Sequence, residues 1–364
     1  MIAVIKIGSS SVTDEQGAIA VDAITKLCDE VAEAKAHGHQ VVVVSSGAIT
    51  AGLPALGLGG DKRPRDPVTL QAVSAVGQPR LMHVYDKALS RHGLVPGQVL
   101  LAPLDFMVRQ QYLHARGTLL RLLELGVVPV INENDAIADD EIRFGDNDRI
   151  AALVAHLVDA DLLVLLTDIA GLLTADPRLD VSASLIEEII EVDHALEAMA
   201  GGAGSARGSG GMASKLAAAK IAAWSGVRTV IAAADRPDVV EHAVAGRGGV
   251  GTVVLPRDRD LPARKLWIAF AVGSQGTIVV DDGARQALVN RGGSLLGAGV
   301  VEVRGSFEAD DAVEVATADG EVFAKGLVRA NAADLRARVG KRSAQLPDGV
   351  AAWVIHRDDL VVLP

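Results

Sequence analysis

The sequence is poor in cysteine, in aromatic residues and in positive charge. Its single cysteine, Cys28, excludes an internal disulfide and a cysteine-based metal site. The formal net charge of −11 leaves no general basic face for nucleic acid or for an anionic membrane. No apolar run reaches the length of a membrane span, and the N-terminal segment lacks the regions of a signal peptide. We therefore expect a cytoplasmic protein with no membrane partner.

Alanine, valine, leucine and glycine dominate instead, a mixture typical of α/β proteins with buried valine-rich strands. An apolar run at residues 2–7, helical spacing at residues 21–36 and a second apolar run at residues 41–44 form a βαβ unit, which predicts a parallel sheet. Further strands are predicted at residues 94–101, 126–131, 162–166 and 228–232. Helices are predicted at residues 70–92, 115–125, 150–157 and 212–225.

The composition changes after about residue 255. Residues 256–262 form a charged connector flanked by prolines, and beyond residue 272 shorter segments alternate apolar and polar residues. Asp319 and Gly320 separate two such segments, which predicts a β-hairpin. The sequence therefore predicts an α/β domain at residues 1–255, a linker at 256–271, a small, mostly β domain at 272–352 and a C-terminal tail at 353–364.

Polar residues and glycines follow four of the predicted strands. Because the carboxyl ends of parallel strands meet at one edge of a sheet, that edge is the expected ligand site. The residues concerned are Lys6 and Gly8, Ser46 and Gly47, Asn132 to Asp135, and Thr167 and Asp168. Asp148 is predicted as the N-cap of the helix that follows the third cluster.

A glycine run at residues 201–211, followed by a helix with Lys215 in its first turn, predicts a phosphate site. Backbone N–H groups at a helix start bind anions, and the lysine adds charge. Lys6 is a second candidate phosphate contact, because a lysine ending a buried strand needs a counter-charge. Taken alone, the run could equally be a flexible surface loop.

Two other enzyme classes have partial signals. Residues 208–213 fit the dinucleotide pattern G-x-G-x-x-A, with Asp235 near its acidic position, but residues 195–207 offer no strand that ends at the first glycine. A nicotinamide-dependent dehydrogenase stays as a weaker alternative. Ser46 could indicate a hydrolase nucleophile, yet the G-x-S-x-G turn is missing and no histidine is placed to serve it.

Together, these segments resemble the glutamate 5-kinase family. The resemblance rests on residues 6–9, 45–49, 130–135, 144–148, 166–168, 171–177, 210–215, 294–296 and 356–359. It implies the amino acid kinase fold, an open, mainly parallel sheet sandwiched by helices, followed by a PUA-like domain. Ser45 and Arg143 stand where the family often has threonine and lysine. Arginine and lysine are not interchangeable cations, so substrate affinity could differ if residue 143 touches substrate.

The resemblance also implies an activity, the ATP-dependent phosphorylation of the side-chain carboxylate of L-glutamate in proline biosynthesis. Mg²⁺ is the implied cofactor besides ATP, proline the implied inhibitor, and a homo-oligomer, dimer or tetramer, the implied assembly. Local residues leave aspartate or acetylglutamate open as the acceptor. An RNA-binding role for the second domain is disfavoured, since residues 272–364 hold 13 acidic and 10 basic residues.

By the same resemblance, each strand-end residue has an expected role. Lys6 and Lys215 would contact the transferred phosphate, Asp148 would hold both lysines, and Gly8 and Gly47 would supply backbone donors. Glutamate would be bound by Ser46, Asp135 and Asn147. ATP would be bound by Lys6, Thr167, Asp168, Ser209, Gly210, Gly211, Met212, Ala213, Ser214 and Lys215. No residue is assigned as a protein ligand of a metal.

Overall fold

The computed structural model describes residues 1–14, 18–60, 63–102, 105–106, 108–137, 147–175, 180, 182–200, 211–257, 261–341 and 353–363. The chain divides into two compact units, Met1–Asp260 and Leu261–Pro364. The division lies inside the predicted linker at residues 256–271. Within the described residues, no helix combines the length and the apolar character that a membrane span needs.

The first unit is built on an eight-stranded sheet with the order β3-β4-β2-β1-β5-β7-β8-β6. Its strands are β1 (Ile2–Ile7), β2 (Gln40–Val44), β3 (Pro96–Leu101), β4 (Val128–Glu133), β5 (Leu162–Thr167), β6 (Glu188–Ile189), β7 (Arg228–Ala233) and β8 (Thr252–Val254). Strands β3 to β7 in this order are parallel, whereas β8 is antiparallel to β7. The prediction of an open, mainly parallel sheet is confirmed. The short strands β6 and β8 are not predicted, because two or three residues carry too little pattern.

Helices connect these strands and cover both faces of the sheet. They are α1 (Ser9–Val12), α2 (Val21–Ala36), α3 (Ala48–Gly52), α4 (Pro67–Ser90), α5 (Arg109–Glu124), α6 (Asn147–Leu157), α7 (His194–Ala200), α8 (Met212–Trp224) and α9 (Val239–Val244). Ile5 of β1 belongs to the buried cluster formed with α2, α4 and α9. Successive residues of a strand point to opposite faces, so Lys6 points to the other face, where α6 contacts β1.

Helices α3 and α4 cross so closely that glycine is required at the contact. A β-carbon at Gly77 would lie 1.8 Å from the carbonyl oxygen of Ala48, and one at Gly52 would lie 2.2 Å from that of Val73. Both distances are far below van der Waals contact, so any other residue would push the helices apart. Helix α3 begins directly after the β2 loop, and α4 therefore fixes the position of that loop.

The second unit contains a five-stranded sheet, ordered β11-β9-β12-β13-β15, and a two-stranded sheet of β10 and β14. Its elements are β9 (Gly276–Val280), β10 (Leu295–Leu296), β11 (Val300–Gly305), β12 (Ala312–Ala316), β13 (Val322–Leu327), β14 (Trp353–Ile355), β15 (Leu360–Val362), α10 (Ala263–Leu266), α11 (Asp282–Arg291) and α12 (Ala332–Arg336). The β12–β13 pair is antiparallel, which confirms the hairpin predicted at Asp319 and Gly320.

The prediction of a C-terminal tail at residues 353–364 is wrong. Strand β15 pairs antiparallel with β13, with Ala324 opposite Val362, and β14 pairs with β10. Leu360 and Val361 are buried. Their three-residue strand is too short to be recognised by periodicity, but it completes the sheet by adding backbone hydrogen bonds at the edge of β13.

Candidate active site

Lys6 and Lys215 meet at the carboxylate of Asp148. Lys6 Nζ lies 2.5 Å from Asp148 Oδ1, and Lys215 Nζ lies 3.1 Å from Asp148 Oδ2. The aspartate is fully buried, and the two lysines are 3% and 6% exposed. These three groups come from β1, α6 and α8, so the tertiary fold alone brings them together.

The three groups carry a formal charge of +1, two ammonium groups against one carboxylate. Two buried ammonium groups at one edge of the sheet make a positively charged position that suits an anionic ligand. Ser214 Oγ also donates to Asp148 Oδ2, at 3.3 Å. The prediction that Asp148 is the N-cap of α6 is wrong. It lies in the first turn of the helix, and its carboxylate holds the lysines.

The loops after β1 and β2 lie side by side at this edge. Lys6 pairs in register with Val44 of β2 and with Leu165 of β5. Gly47, at φ 96°, has a backbone conformation that favours glycine, and a β-carbon there would lie 2.8 Å from Val12 Cγ2. Gly8 is the N-cap of α1, and a β-carbon there would lie 3.7 Å from Lys6 Nζ. Gly8 therefore lies beside the ammonium group of Lys6, and Gly47 packs its backbone against Val12 of α1.

Asn147 links the β2 loop to the end of β4. Its Nδ2 donates to the carbonyl oxygen of Ser45 at 2.5 Å and to Asn132 Oδ1 at 2.7 Å. Ser46 is buried at the same loop, and Asp135 lies half-buried in the turn after β4. The three residues predicted to bind glutamate therefore lie around the neighbouring ends of β2 and β4, which pair through Val44 and Ile131. Ser46 and Asp135 follow these strands, and Asn147 is the first residue of α6.

Ser45 carries a hydroxyl that is used inside the protein. It is fully buried, and Tyr85 of α4 donates its phenolic O–H to Ser45 Oγ at 2.9 Å. Burial raises the pKa of Tyr85, so the phenol stays protonated and remains a donor. The hydroxyl that serine shares with the threonine of the family pattern therefore holds the β2 loop against α4.

The predicted nucleotide residues lie on the other side of β1. Thr167 ends β5 and donates to Asp168 Oδ1 at 3.0 Å, and Asp168 is exposed. Helix α8 begins at Met212 with Gly211 as its N-cap, as the sequence predicts, and Ala213 and Ser214 lie in its first turn. Ser209, Gly210 and the rest of the glycine run at residues 201–210 lie outside the described residues, as does Arg143.

Comparison with known proteins identifies the family. The model of the amino acid kinase family matches residues 1–233. The chain is 46% identical to a glutamate 5-kinase of Nocardia farcinica, over 98% of this chain and 96% of that protein. The glutamate 5-kinase of Pelobacter propionicus is 44% identical, over 99% of this chain and 97% of that protein. This chain belongs to the glutamate 5-kinase group of the amino acid kinase family.

Membership of this family makes the chain a phosphotransferase. The model of the PUA domain matches residues 276–350, within the second unit. The alternative of a nicotinamide-dependent dehydrogenase is wrong for two reasons. The family is that of a kinase, and the described element before the glycine run is helix α7, whereas the fingerprint needs a strand ending at the first glycine.

Sequence reasoning missed the polar support behind the strand ends. Gln78 of α4 is 8% exposed, and its Oε1 accepts from Asn132 Nδ2 at 2.8 Å. Gln78 is not among the predicted site residues, and Asn132 is predicted only as part of the ligand edge, with no role of its own. A signal exists, because Gln78 lies three residues before Leu81 and seven before Tyr85, on the apolar face of the helix. A glutamine at such a position needs a buried hydrogen-bond partner.

Proposed function

We propose that this protein is a glutamate 5-kinase, which transfers the γ-phosphoryl group of ATP to the side-chain carboxylate of L-glutamate. The observation that carries the proposal is the buried cluster of Lys6, Asp148 and Lys215 at the carboxyl edge of the sheet. Two lysines held by one carboxylate suit a transferred phosphoryl group, because its transition state spreads negative charge over several oxygens. The names of the relatives support glutamate as the acceptor.

The chemistry requires no general base. A glutamate carboxylate is ionised at neutral pH, with a reference pKa near 4.3. One of its oxygens forms the new bond to the γ-phosphorus while the bond from phosphorus to the bridging oxygen of ADP breaks, so no proton is moved. In this scheme Lys6 and Lys215 neutralise the transferred oxygens, Asp148 keeps both lysines in place, and backbone N–H groups near Gly8 and Gly47 add donors.

The remaining sites follow from the strand ends. In the proposal Ser46, Asp135 and Asn147 bind the acceptor amino acid. The nucleotide is bound beside β5 and at the start of α8, by residues Thr167, Asp168, Ser209, Gly210, Gly211, Met212, Ala213, Ser214 and Lys215. The register of β4, β2, β1 and β5 supports this arrangement, since it sets the acceptor side and the nucleotide side on opposite sides of Lys6.

Mg²⁺ fits this site as a metal that enters with the nucleotide. Both carboxylate oxygens of Asp148 already face lysine nitrogens within 3.1 Å, so this carboxylate is not offered to a cation. Among the described residues, the three side chains close enough together to hold a metal ion are Asp238, Glu241 and His242, around α9. None of them is among the residues proposed to bind the nucleotide. In the proposal the metal is therefore held mainly by phosphate oxygens and water, and it supplies further neutralisation of phosphate charge.

The proposal extends to regulation and assembly. We infer a role at the first step of proline biosynthesis, inhibition by proline, and a homo-oligomer, either dimer or tetramer. The glutamate 5-kinase names of the relatives support these three points only through the family. A proline titration of the activity and the mass of the native particle by light scattering test them separately.

The experiment that tests the activity measures ADP release from ATP and Mg²⁺ with hydroxylamine present, which traps an acyl phosphate as a hydroxamate. L-glutamate, L-aspartate and N-acetylglutamate are compared as acceptors. We expect ADP release and hydroxamate with L-glutamate. If another acceptor gave both signals and glutamate gave neither, the phosphate site would stand and the assignments of Ser46, Asp135 and Asn147 to glutamate would fall.

A further inference from the structure

One face of helix α4 supports the strand ends that carry the proposed acceptor site. Gln78 contacts Asn132 at the end of β4, and Tyr85, two turns later, contacts Ser45 at the end of β2. Gly77 lets the same face approach Ala48 of α3. The helix therefore contacts the end of β4, the loop after β2 and the start of α3.

Two backbone groups fix the orientation of the side-chain amides in this region. The N–H of Glu133 only donates, so the atom of Asn132 that lies 2.9 Å from it must be Oδ1. The carbonyl of Ser45 only accepts, so the atom of Asn147 that lies 2.5 Å from it must be Nδ2. These assignments do not depend on which way an amide is drawn, because the backbone atoms are unambiguous.

The orientation of Asn132 determines which atom of Gln78 must face it. Asn132 Oδ1 accepts from Glu133 and Asn147. The Nδ2 group of Asn132 therefore needs a hydrogen-bond acceptor, which is Gln78 Oε1 at 2.8 Å. Asn132 is 2% exposed, so losing this acceptor would leave a buried N–H group without a partner. Gln78 Nε2 in turn donates to Gln98 Oε1 at 3.3 Å, on the exposed side of β3.

Asn147 is the last of these linked side-chain amides, and it is the one proposed to contact the substrate amino acid. Both hydrogens of Asn147 Nδ2 are used, by Ser45 and by Asn132. The polar atom of Asn147 left for a ligand is therefore Oδ1, which only accepts. An ammonium group only donates, whereas an acylated amine has lost its charge and a dicarboxylic acid without an amine has no such donor.

We propose that Gln78 is a positioning residue that makes the site selective for an acceptor with a free ammonium group. It acts through Asn132, whose orientation keeps Oδ1 of Asn147 as the atom offered to the substrate. This inference rests on the function proposed above for the same site. It adds the reason why a free amino acid is preferred to a plain dicarboxylate.

The test compares L-glutamate with glutarate, which is the same five-carbon diacid without the amino group. For each variant we would measure KM for glutamate, KM for ATP and the inhibition constant of glutarate against glutamate. Gln78→Met removes the hydrogen-bond acceptor of Asn132 and keeps an unbranched side chain of similar length. Gln78→Glu keeps an oxygen facing Asn132. Gln98→Ala serves as the matched control. Thermal unfolding of each variant checks that it is folded.

We expect Gln78→Met to raise KM for glutamate about 10-fold, the effect of losing one hydrogen bond to a charged group. The glutarate constant and KM for ATP should change less than about 2-fold, because neither ligand uses the ammonium contact. Gln78→Glu should keep the preference for glutamate over glutarate. Gln98→Ala should leave all three constants unchanged, since Gln98 is exposed and accepts from the far end of Gln78, away from Asn132.

Three outcomes would overturn the inference. Equal weakening of glutamate and glutarate in Gln78→Met would mean that Gln78 only packs the site. Loss of the preference for glutamate over glutarate in Gln78→Glu would contradict the role of the oxygen that accepts from Asn132. An unchanged preference in Gln78→Met would contradict it as well. If Gln78→Met does not fold, Gln78→Leu takes its place, and the Gln78→Glu result still decides.

A failure of the proposed function would be seen earlier, as a wild-type protein that is inactive on glutamate. With aspartate as the true acceptor, the same comparison would be made between aspartate and succinate. The selectivity for a free ammonium group and the identity of the acceptor are thus tested independently.

Discussion

Each unit of this protein contains a buried carboxylate that holds two cations. In the first unit, Asp148 holds Lys6 and Lys215, at 2.5 and 3.1 Å. In the second, Asp359 holds Arg264 and Arg329, each with a guanidinium nitrogen 2.6 Å away. The carboxylates are alike, but the cations differ. The lysine side chains are 3% and 7% exposed, and the arginine side chains 52% and 43%.

This difference in exposure distinguishes the proposed ligand site around Asp148 from the Asp359 cluster, which acts as a structural clamp between segments of the second unit. A half-exposed arginine keeps much of its hydration while its planar group bonds the carboxylate, and Arg329 also pairs with Asp310 at 3.7 Å. It ties α10 and the end of β13 to the turn before β15. The lysines have given up their hydration, and in the proposal a phosphate of the nucleotide binds beside them. The burial of the cations, and not the number of ion pairs, is what distinguishes the cluster proposed to be functional.

The largest effect is expected for Asp148→Asn. Without the carboxylate two buried ammonium groups lie close together, which should cost about 3–5 kcal/mol of unfolding free energy and remove the positioning of both lysines. Turnover of the folded protein should fall by about 10³-fold or more, as when preorganised charge at a transition state is lost. Chemical denaturation and the ADP-release assay measure the two effects. Turnover within 2-fold of wild type would show that the cluster is merely structural.

Next in size is Lys215→Ala. We expect turnover to fall by about 10²–10³-fold, while ATP affinity changes by less than about 10-fold, because the lysine neutralises charge that develops during transfer. Lys220→Ala is the matched control on the same helix. Lys220 Nζ pairs with Glu197 at 2.9 Å, away from Asp148, and its removal should leave turnover unchanged. Equal losses of turnover and of ATP affinity in Lys215→Ala would make Lys215 a binding residue only.

A smaller effect, confined to stability, is expected for Asp359→Asn. The carboxylate is buried but its arginines are half-exposed, so the loss should be about 1–3 kcal/mol, below the range for a fully buried pair. KM and turnover of the folded protein should stay at wild-type values, because all described residues of the proposed site belong to the first unit. A changed KM for glutamate would contradict the role of a local clamp.

Cys28 provides the control that distinguishes the two aspartate variants. It is the only cysteine, it lies buried in the first unit, and burial raises its pKa to about 12. Its thiol is therefore protonated at neutral pH and reacts only when the first unit opens. Labelling under native conditions should accelerate in Asp148→Asn and stay at the wild-type rate in Asp359→Asn. Equal acceleration in both variants would show that the two clusters do not stabilise their units separately.

The smallest effect is expected for Arg304→Ala, which breaks an exposed pair with Glu302 at 2.7 Å. The hydrogen bond from Arg304 lowers the pKa of the Glu302 carboxyl, so any stabilisation exists above the unfolded pKa and is lost as the pH falls through the folded pKa. Because both side chains are exposed, we expect no measurable change in Tm at pH 7. A clear drop in Tm would mean that exposure does not predict the strength of these pairs.

Much of the first unit could be predicted from residue patterns. Each strand predicted in residues 1–255 is present with its ends within two residues, and helix α2 spans Val21–Ala36 as its periodicity indicates. These elements are long and uniformly apolar on their buried faces, so local pattern and tertiary contacts agree. Where segments are only two or three residues long, as in β6 and β15, pairing with a neighbour decides the structure and the pattern fails.

By itself, the sequence determined the strand-end positions of Lys6, Ser46, Asp135 and Thr167, because polar residues after apolar runs are visible locally. Only the tertiary structure decided which of them meet. Asp148 looks like a helix cap in sequence, and it holds two lysines that lie 142 and 67 residues away along the chain. The spacing of Gln78 places it on the apolar face of α4 but does not name its partner, Asn132, which is 54 residues away. The physical reason is that buried charges and amides are satisfied by whichever partner the packing brings near, and that partner is distant in sequence.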